Sequence, residues 1–90
     1  MEIKGTCVYK GFEEWGTIDG KTEGVVILQL DNQTIKVQGF EHDVAGLKVG
    51  DCVRVTIEPD NYHYIYLKSI SYDGEQEMLK RIFYSNYGRN

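Results

Sequence analysis

Apolar and polar residues alternate with a period of two through most of this chain, which is the pattern of half-buried β-strands. In the first such run, Ile3, Cys7 and Tyr9 share one face. The pattern predicts five strands, at residues 2–9, 25–30, 34–38, 52–58 and 62–71. A turn signal at residues 31–33 joins the second and third runs into a hairpin.

Two details refine the last predicted strands. The Pro-Asp-Asn sequence at residues 59–61 predicts a turn between the fourth and fifth strands. In the fifth, Ile65 and Leu67 lie on one face, and Ile70 falls out of phase with them. This shift predicts a β-bulge near Lys68 or Ser69.

The period changes at the C-terminal end, where the sequence predicts a helix. Asp73 is suited to cap its start, with Gln76 as the capping-box partner three residues later. Acidic residues near the start and basic residues near the end suit the helix dipole. One apolar stripe is formed by Met78, Leu79, Ile82 and Phe83, and residues 84–90 are expected to fray.

Strand number and order predict the fold class. Residues 41–47 form a short helical or irregular segment between the third and fourth strands. We therefore predict an all-β chain, a five-stranded OB-type Greek-key barrel with a short helix between strands 3 and 4 and a C-terminal helix. An SH3-like barrel is the main alternative. The predicted domains are an OB-like barrel over residues 1–72, and a helix with a frayed tail over residues 73–90, packed on the barrel or extending from it.

Charge and composition narrow the partners and the location. The chain has 10 Lys and Arg residues and 14 Asp and Glu residues. This net negative charge argues against charge-driven binding to duplex DNA. Single strands remain compatible, because stacking on aromatic rings carries much of their binding energy. No apolar stretch approaches the roughly 20 residues of a membrane helix, and the N-terminus does not resemble a signal peptide. We expect a cytoplasmic protein that does not bind membranes. Its Cys7 and Cys52 are then expected to be buried thiols, with a disulfide as the alternative if they lie on neighbouring strands.

Two segments resemble a known family. Residues 28–32 read Leu-Gln-Leu-Asp-Asn, and residues 50–60 read Gly-Asp-Cys-Val-Arg-Val-Thr-Ile-Glu-Pro-Asp. They resemble OB domains of the S1 type, in particular those of the bacterial initiation factor one family. Residues 2–6 look like that family's first strand, and residues 65–69 like its last. The resemblance implies an OB barrel that binds RNA, although the basic segment of the family is replaced here by the acidic residues 39–46.

A second, weaker resemblance concerns the segment after the first strand. Residues 10–18 are similar to the cold-shock version of the barrel, with Phe12 and Trp15 in place and Thr17 where that family has a phenylalanine.

The OB fold binds oligomers across strands 2 and 3, between the loops that follow strands 1 and 4. Exposed aromatic residues in those loops would stack on bases, and nearby cations would contact phosphates. The candidate contacts for nucleic acid or another partner are Lys10, Phe12, Trp15, Lys36, Arg54, Tyr62 and Tyr64. In a purely structural interpretation, Phe12 and Trp15 close one end of the barrel, and the tyrosines cover the C-terminal helix.

The sequence therefore predicts a non-catalytic module that binds RNA or single-stranded nucleic acid through the OB face. The alternative is an OB-fold protein–protein adaptor or regulator. It is favoured by the acidic first loop around Trp15, because an aromatic anchor with a charged rim is typical of protein interfaces. The helical stripe either packs on its own barrel or binds a partner.

Catalytic and metal-binding signals are weak. His42 and His63 lack the paired spacing of zinc ligands, and no nucleophile elbow or phosphate-binding glycine loop is present. We therefore expect no enzymatic activity, no metal and no cofactor.

Overall fold

Five strands and two helical segments make up the computed structural model, which describes residues 1–60 and 64–87, with side chains through residue 82. A short 3-10 helix at Glu41–Asp43 lies between the third and fourth strands. The other elements are β1 (Ile3–Ile18), β2 (Lys21–Leu30), β3 (Gln33–Phe40), β4 (Cys52–Pro59), β5 (Ile65–Tyr72) and α1 (Gly74–Tyr87).

The strands close into a barrel in the order β1-β2-β3-β5-β4, with β4 paired back onto β1. The pairs are antiparallel except for a short parallel contact between β3 and β5, where Gln38 lies opposite Tyr66. This topology confirms the predicted fold class.

The inward positions of the alternating pattern form the core. Among the described residues, four side chains are fully buried, namely Val26, Leu28, Val37 and Val53. Cys7, Tyr9, Val44 and Val55 complete the buried cluster. Most residues of this cluster are valines, as expected, because β-branched residues pack well on a pleated surface.

The first strand is much longer than predicted. The sequence pattern ends it at residue 9 and places Phe12 and Trp15 in a long loop, and this placement is wrong. Two irregularities in the β1–β2 register, one of them just before Gly11, whose φ is 142°, allow the strand to bend and continue. A tight turn of Asp19 and Gly20, both with positive φ, then leads into β2, as hairpin turns require.

The predicted bulge in β5 is confirmed. Ser69 pairs with Thr56 and Leu67 pairs with Ile57, so Lys68 is the extra residue. The start predicted for this strand, residue 62, lies outside the described residues, and β5 begins at Ile65.

Helix α1 begins as the sequence predicts. The Gln76 backbone N–H donates to Asp73 Oδ1 at 3.1 Å, which is an N-cap bond. The Asp73 N–H donates instead to the Cys52 carbonyl oxygen at 2.8 Å, so it is not engaged in the reciprocal bond of a capping box. The helix continues to Tyr87, through residues expected to fray.

The apolar stripe of α1 is largely open to solvent. Met78, Leu79 and Ile82 are each more than half exposed, so these three side chains do not pack on the barrel. The side chain of Phe83 lies outside the described side chains. Within the described part of the chain, no helix combines the length and apolar character needed to cross a membrane.

Both cysteines are buried free thiols on neighbouring strands. Cys7 lies opposite Val53 and Cys52 lies opposite Val8, so the pleat directs the two side chains to opposite faces of the sheet. Burial raises the pKa of both thiols. The structure thus agrees with the prediction of buried thiols.

Candidate nucleic-acid interface

A groove of about 400 Å³ crosses the outer face of the barrel. We call it the aromatic groove, and it is lined by Glu13, Trp15, Val25, Lys36, Gln38, Tyr64 and Ile65. The strand register explains how these residues meet. Val25 pairs with Glu13 on β1 and with Gln38 on β3, and directly paired residues point to the same side of a sheet.

Two aromatic rings from opposite ends of the barrel sequence line this groove. Trp15 lies at the second irregularity of β1 and is 60% exposed, so it does not close the barrel end. Tyr64 precedes β5 and is 55% exposed. The ring of Tyr66 lies 6.5 Å from that of Tyr64, tilted by 42°. Exposed aromatic side chains gathered on one face are typical of an interaction surface.

The groove is lined by one carboxylate, that of Glu13, and one cation, that of Lys36, so its lining charges balance. Lys36 Nζ lies 3.7 Å from Glu13 Oε1, so the cation that lines the groove is paired. Desolvation and the neighbouring Asp60 carboxylate, which accepts a hydrogen bond from the phenol, raise the pKa of Tyr66. Tyr66 therefore remains a neutral hydroxyl at physiological pH. A phosphate would meet weak attraction here, whereas an uncharged aromatic base would meet exposed rings.

A smaller cavity of about 180 Å³ adjoins the groove and shares Gln38 with it. We call it the Glu23 recess, and it is lined by Glu23, Gln38, Gly39, Phe40, Tyr66 and Leu67. Glu23 pairs with Phe40 across β2 and β3. The ring of Phe40 is also stacked on His42 at 5.6 Å, and Lys21 Nζ lies 5.9 Å from its centroid.

The structure brings together some of the predicted site residues and separates others. Trp15, Lys36 and Tyr64 line the aromatic groove. Phe12 points inward against the core, Lys10 is exposed on β1 and does not line the groove, and Arg54 faces Asp73. Tyr62 lies outside the described residues.

Sequence reasoning missed the residues of the Glu23 recess. The sequence does contain a signal for one pair of these residues. Counting residues along both strands from the β2–β3 turn places Glu23 opposite Phe40. No local signal places Tyr66 beside Gln38, since that contact depends on barrel closure. In the described residues, no group of three or more His, Cys, Asp or Glu side chains is arranged to hold a metal ion.

No protein-family model, no curated protein and no solved structure matches this chain at a significant level. What the structure adds to the S1 resemblance is the five-stranded closed barrel.

Proposed function

We propose that this chain is a non-catalytic binding module that holds single-stranded RNA or DNA on its aromatic groove. The observation that supports this most strongly is that two exposed aromatic residues, Trp15 and Tyr64, line the same groove on the outer face of the barrel. The proposal also holds that the barrel is an OB domain of the S1 type, as its strand sequences suggest, and that the protein is cytoplasmic.

Stacking supplies the energy in this proposal. A base stacked on an aromatic side chain contributes about 1–3 kcal/mol, so two rings provide roughly 2–6 kcal/mol. Lys36 positions the nucleic-acid backbone when its ammonium group leaves the Glu13 carboxylate and pairs with a phosphate. The acidic surroundings keep duplex DNA away, because duplex binding depends on neutralising many phosphates.

Binding of a fluorescent single-stranded dodecamer, followed by anisotropy, tests the proposal. Trp15→Ala and Tyr64→Ala should each weaken binding by about tenfold, which corresponds to the loss of one stacked ring. Tyr72→Ala is the matched control, because Tyr72 is an exposed aromatic residue that does not line the groove. Unchanged affinity in the two groove variants, with the fold intact by circular dichroism, would overturn the proposal.

A second candidate is an OB-fold protein–protein adaptor or regulator, and one observation favours it. The described side chains of the α1 stripe, Met78, Leu79 and Ile82, are exposed rather than packed. An exposed apolar helix face is a common element of helix-in-groove recognition. Capture of partners from the native host, with and without nuclease, separates the two candidates. An adaptor retains its partner after nuclease treatment and loses it when Leu79 and Ile82 are changed to Ser.

A further inference from the structure

The Glu23 recess has the composition of a site for one flat aromatic group. Its lining includes two aromatic residues, Phe40 and Tyr66, and two polar residues, Glu23 and Gln38. Pockets for drug-sized ligands occupy about 300–1,000 Å³, so a recess of about 180 Å³ suits a smaller fragment. Because Gln38 also lines the aromatic groove, a strand stacked on Trp15 and Tyr64 can place a neighbouring base here.

The Glu23 carboxylate is held in a fixed position within the recess. The Gln38 side-chain amide Nε2 donates to Glu23 Oε1 across the β2–β3 pair. A carboxylate has about four lone-pair sites on its two oxygens, so one bond from Gln38 leaves most of this acceptor capacity available. The strand register places Glu23 directly opposite Phe40, so the two side chains point to the same side of the sheet.

A fixed carboxylate discriminates strongly among base edges. It requires hydrogen-bond donors, and two adjacent donors satisfy both oxygens together. The Watson–Crick edge of guanine offers adjacent donors at N1 and N2. Adenine and cytosine each place a donor next to an acceptor, and uracil places one donor between two acceptors. A lone pair on any of these three bases would face a carboxylate oxygen and be repelled by it.

We propose that the Glu23 recess selects guanine in single-stranded nucleic acid, with the base against Phe40 and Tyr66 and its N1 and N2 donors on the Glu23 carboxylate. This inference rests on the proposed function, and it assigns a role to the acidic residues of the binding face. They repel phosphates, but the Glu23 carboxylate accepts hydrogen bonds from two adjacent donors on a base edge.

Four fluorescent pentanucleotides test the inference, each with uridines around one central guanine, adenine, cytosine or uracil. The guanine pentamer should bind about tenfold or more tightly than the other three, as expected for a bidentate base contact. A fifth pentamer with central 1-methylguanine lacks the N1 donor and should lose this advantage. Glu23→Gln should abolish the preference, because an amide replaces one acceptor by a donor. The matched control is Glu14→Gln, an exposed carboxylate on β1 that lines neither cavity.

The outcomes separate the two proposals. Equal binding of all four pentamers that still depends on Trp15 overturns guanine selection and leaves the binding function in place. A guanine preference that survives Glu23→Gln also overturns the role of the recess. Absence of binding to every pentamer, and to the dodecamer, overturns both proposals.

Discussion

Arg54 Nη2 lies 3.5 Å from Oδ2 of Asp73, whose side chain is only 2% exposed. The other carboxylate oxygen caps α1, so Asp73 joins the end of β5 and the start of the helix to β4. Arg54 was expected to contact nucleic acid, but its guanidinium lies beside this buried carboxylate.

The Arg54–Asp73 contact predicts a difference between two variants. Asp73→Ala removes the helix cap and should lower the free energy of unfolding by about 0.5–2 kcal/mol. Arg54→Ala should cost less than about 1 kcal/mol, because the Arg54 side chain is 64% exposed and solvent screens the pair. Urea unfolding measures both, and oligonucleotide affinity should change less than twofold in Arg54→Ala. A large loss of affinity in Arg54→Ala would return this residue to the binding surface.

Glu77 makes the attachment of α1 dependent on pH. Hydrogen bonds from the Cys52 thiol and from the Cys52 backbone N–H lower the pKa of the Glu77 carboxyl. Since the folded-state pKa lies below the unfolded value, this stabilisation is present above the ordinary carboxyl pKa and is lost as pH falls through the folded-state value. The amide NMR signal of Cys52 should therefore shift as the pH falls below the ordinary carboxyl pKa of about 4.3.

The control for this titration is Glu77→Gln, which keeps an acceptor oxygen but does not titrate. Its Cys52 amide signal should stay nearly constant over the same range. Identical titration curves in the two proteins would assign the shift to another carboxyl group.

Gly24 marks a close approach between β1 and β2. A Cβ atom there would collide with the Glu13 carbonyl oxygen and come within 2.8 Å of Phe12 Cζ. We expect Gly24→Ala to lower the free energy of unfolding by about 1–3 kcal/mol, as overpacking does. Gly5→Ala is the matched control, because a Cβ at Gly5 meets nothing within 4 Å. Equal stability of the two variants in urea would show that β1 and β2 separate more easily than this packing implies.

Salt dependence should be shallow if stacking dominates binding. Each phosphate contact to a single strand contributes a slope of about −0.7 in log K against log salt. Lys36 lines the groove and Lys21 lies over Phe40, so the slope should be no steeper than about −1.4. Lys36→Gln should reduce it by about 0.7, whereas Lys10→Gln should leave it unchanged. A much steeper slope would show that phosphates are bound by another surface.

Local sequence patterns predict those elements of the fold that depend on neighbouring residues in the chain. The β2–β3 hairpin follows from its turn residues, the bulge at Lys68 from the phase shift at Ile70, and the helix start from Asp73. The extent of β1 was missed because a bulge between Tyr9 and Gly11, with Lys10 as the extra residue, interrupts the alternation without ending the strand.

The candidate site was predicted only in part, because some of its contacts form between strands that are distant in the sequence. Trp15, Lys36 and Tyr64 were identified as residue types suited to binding, and the structure places them on one groove. The Glu23 recess depends on the parallel contact of Gln38 with Tyr66, which only barrel closure creates. A contact of this kind leaves no periodic signal in either strand.

The most direct test of the binding groove is an NMR titration of the isotope-labelled protein with a single-stranded pentanucleotide that contains one guanine. We predict that the largest shifts occur at the Trp15 indole N–H, the Gln38 side-chain amide and the backbone amides of Tyr64 and Tyr66. Signals from α1 and from Arg54 should change little. Shifts confined to α1 or to the Arg54 side of the barrel, with the groove signals unchanged at saturation, would contradict the account.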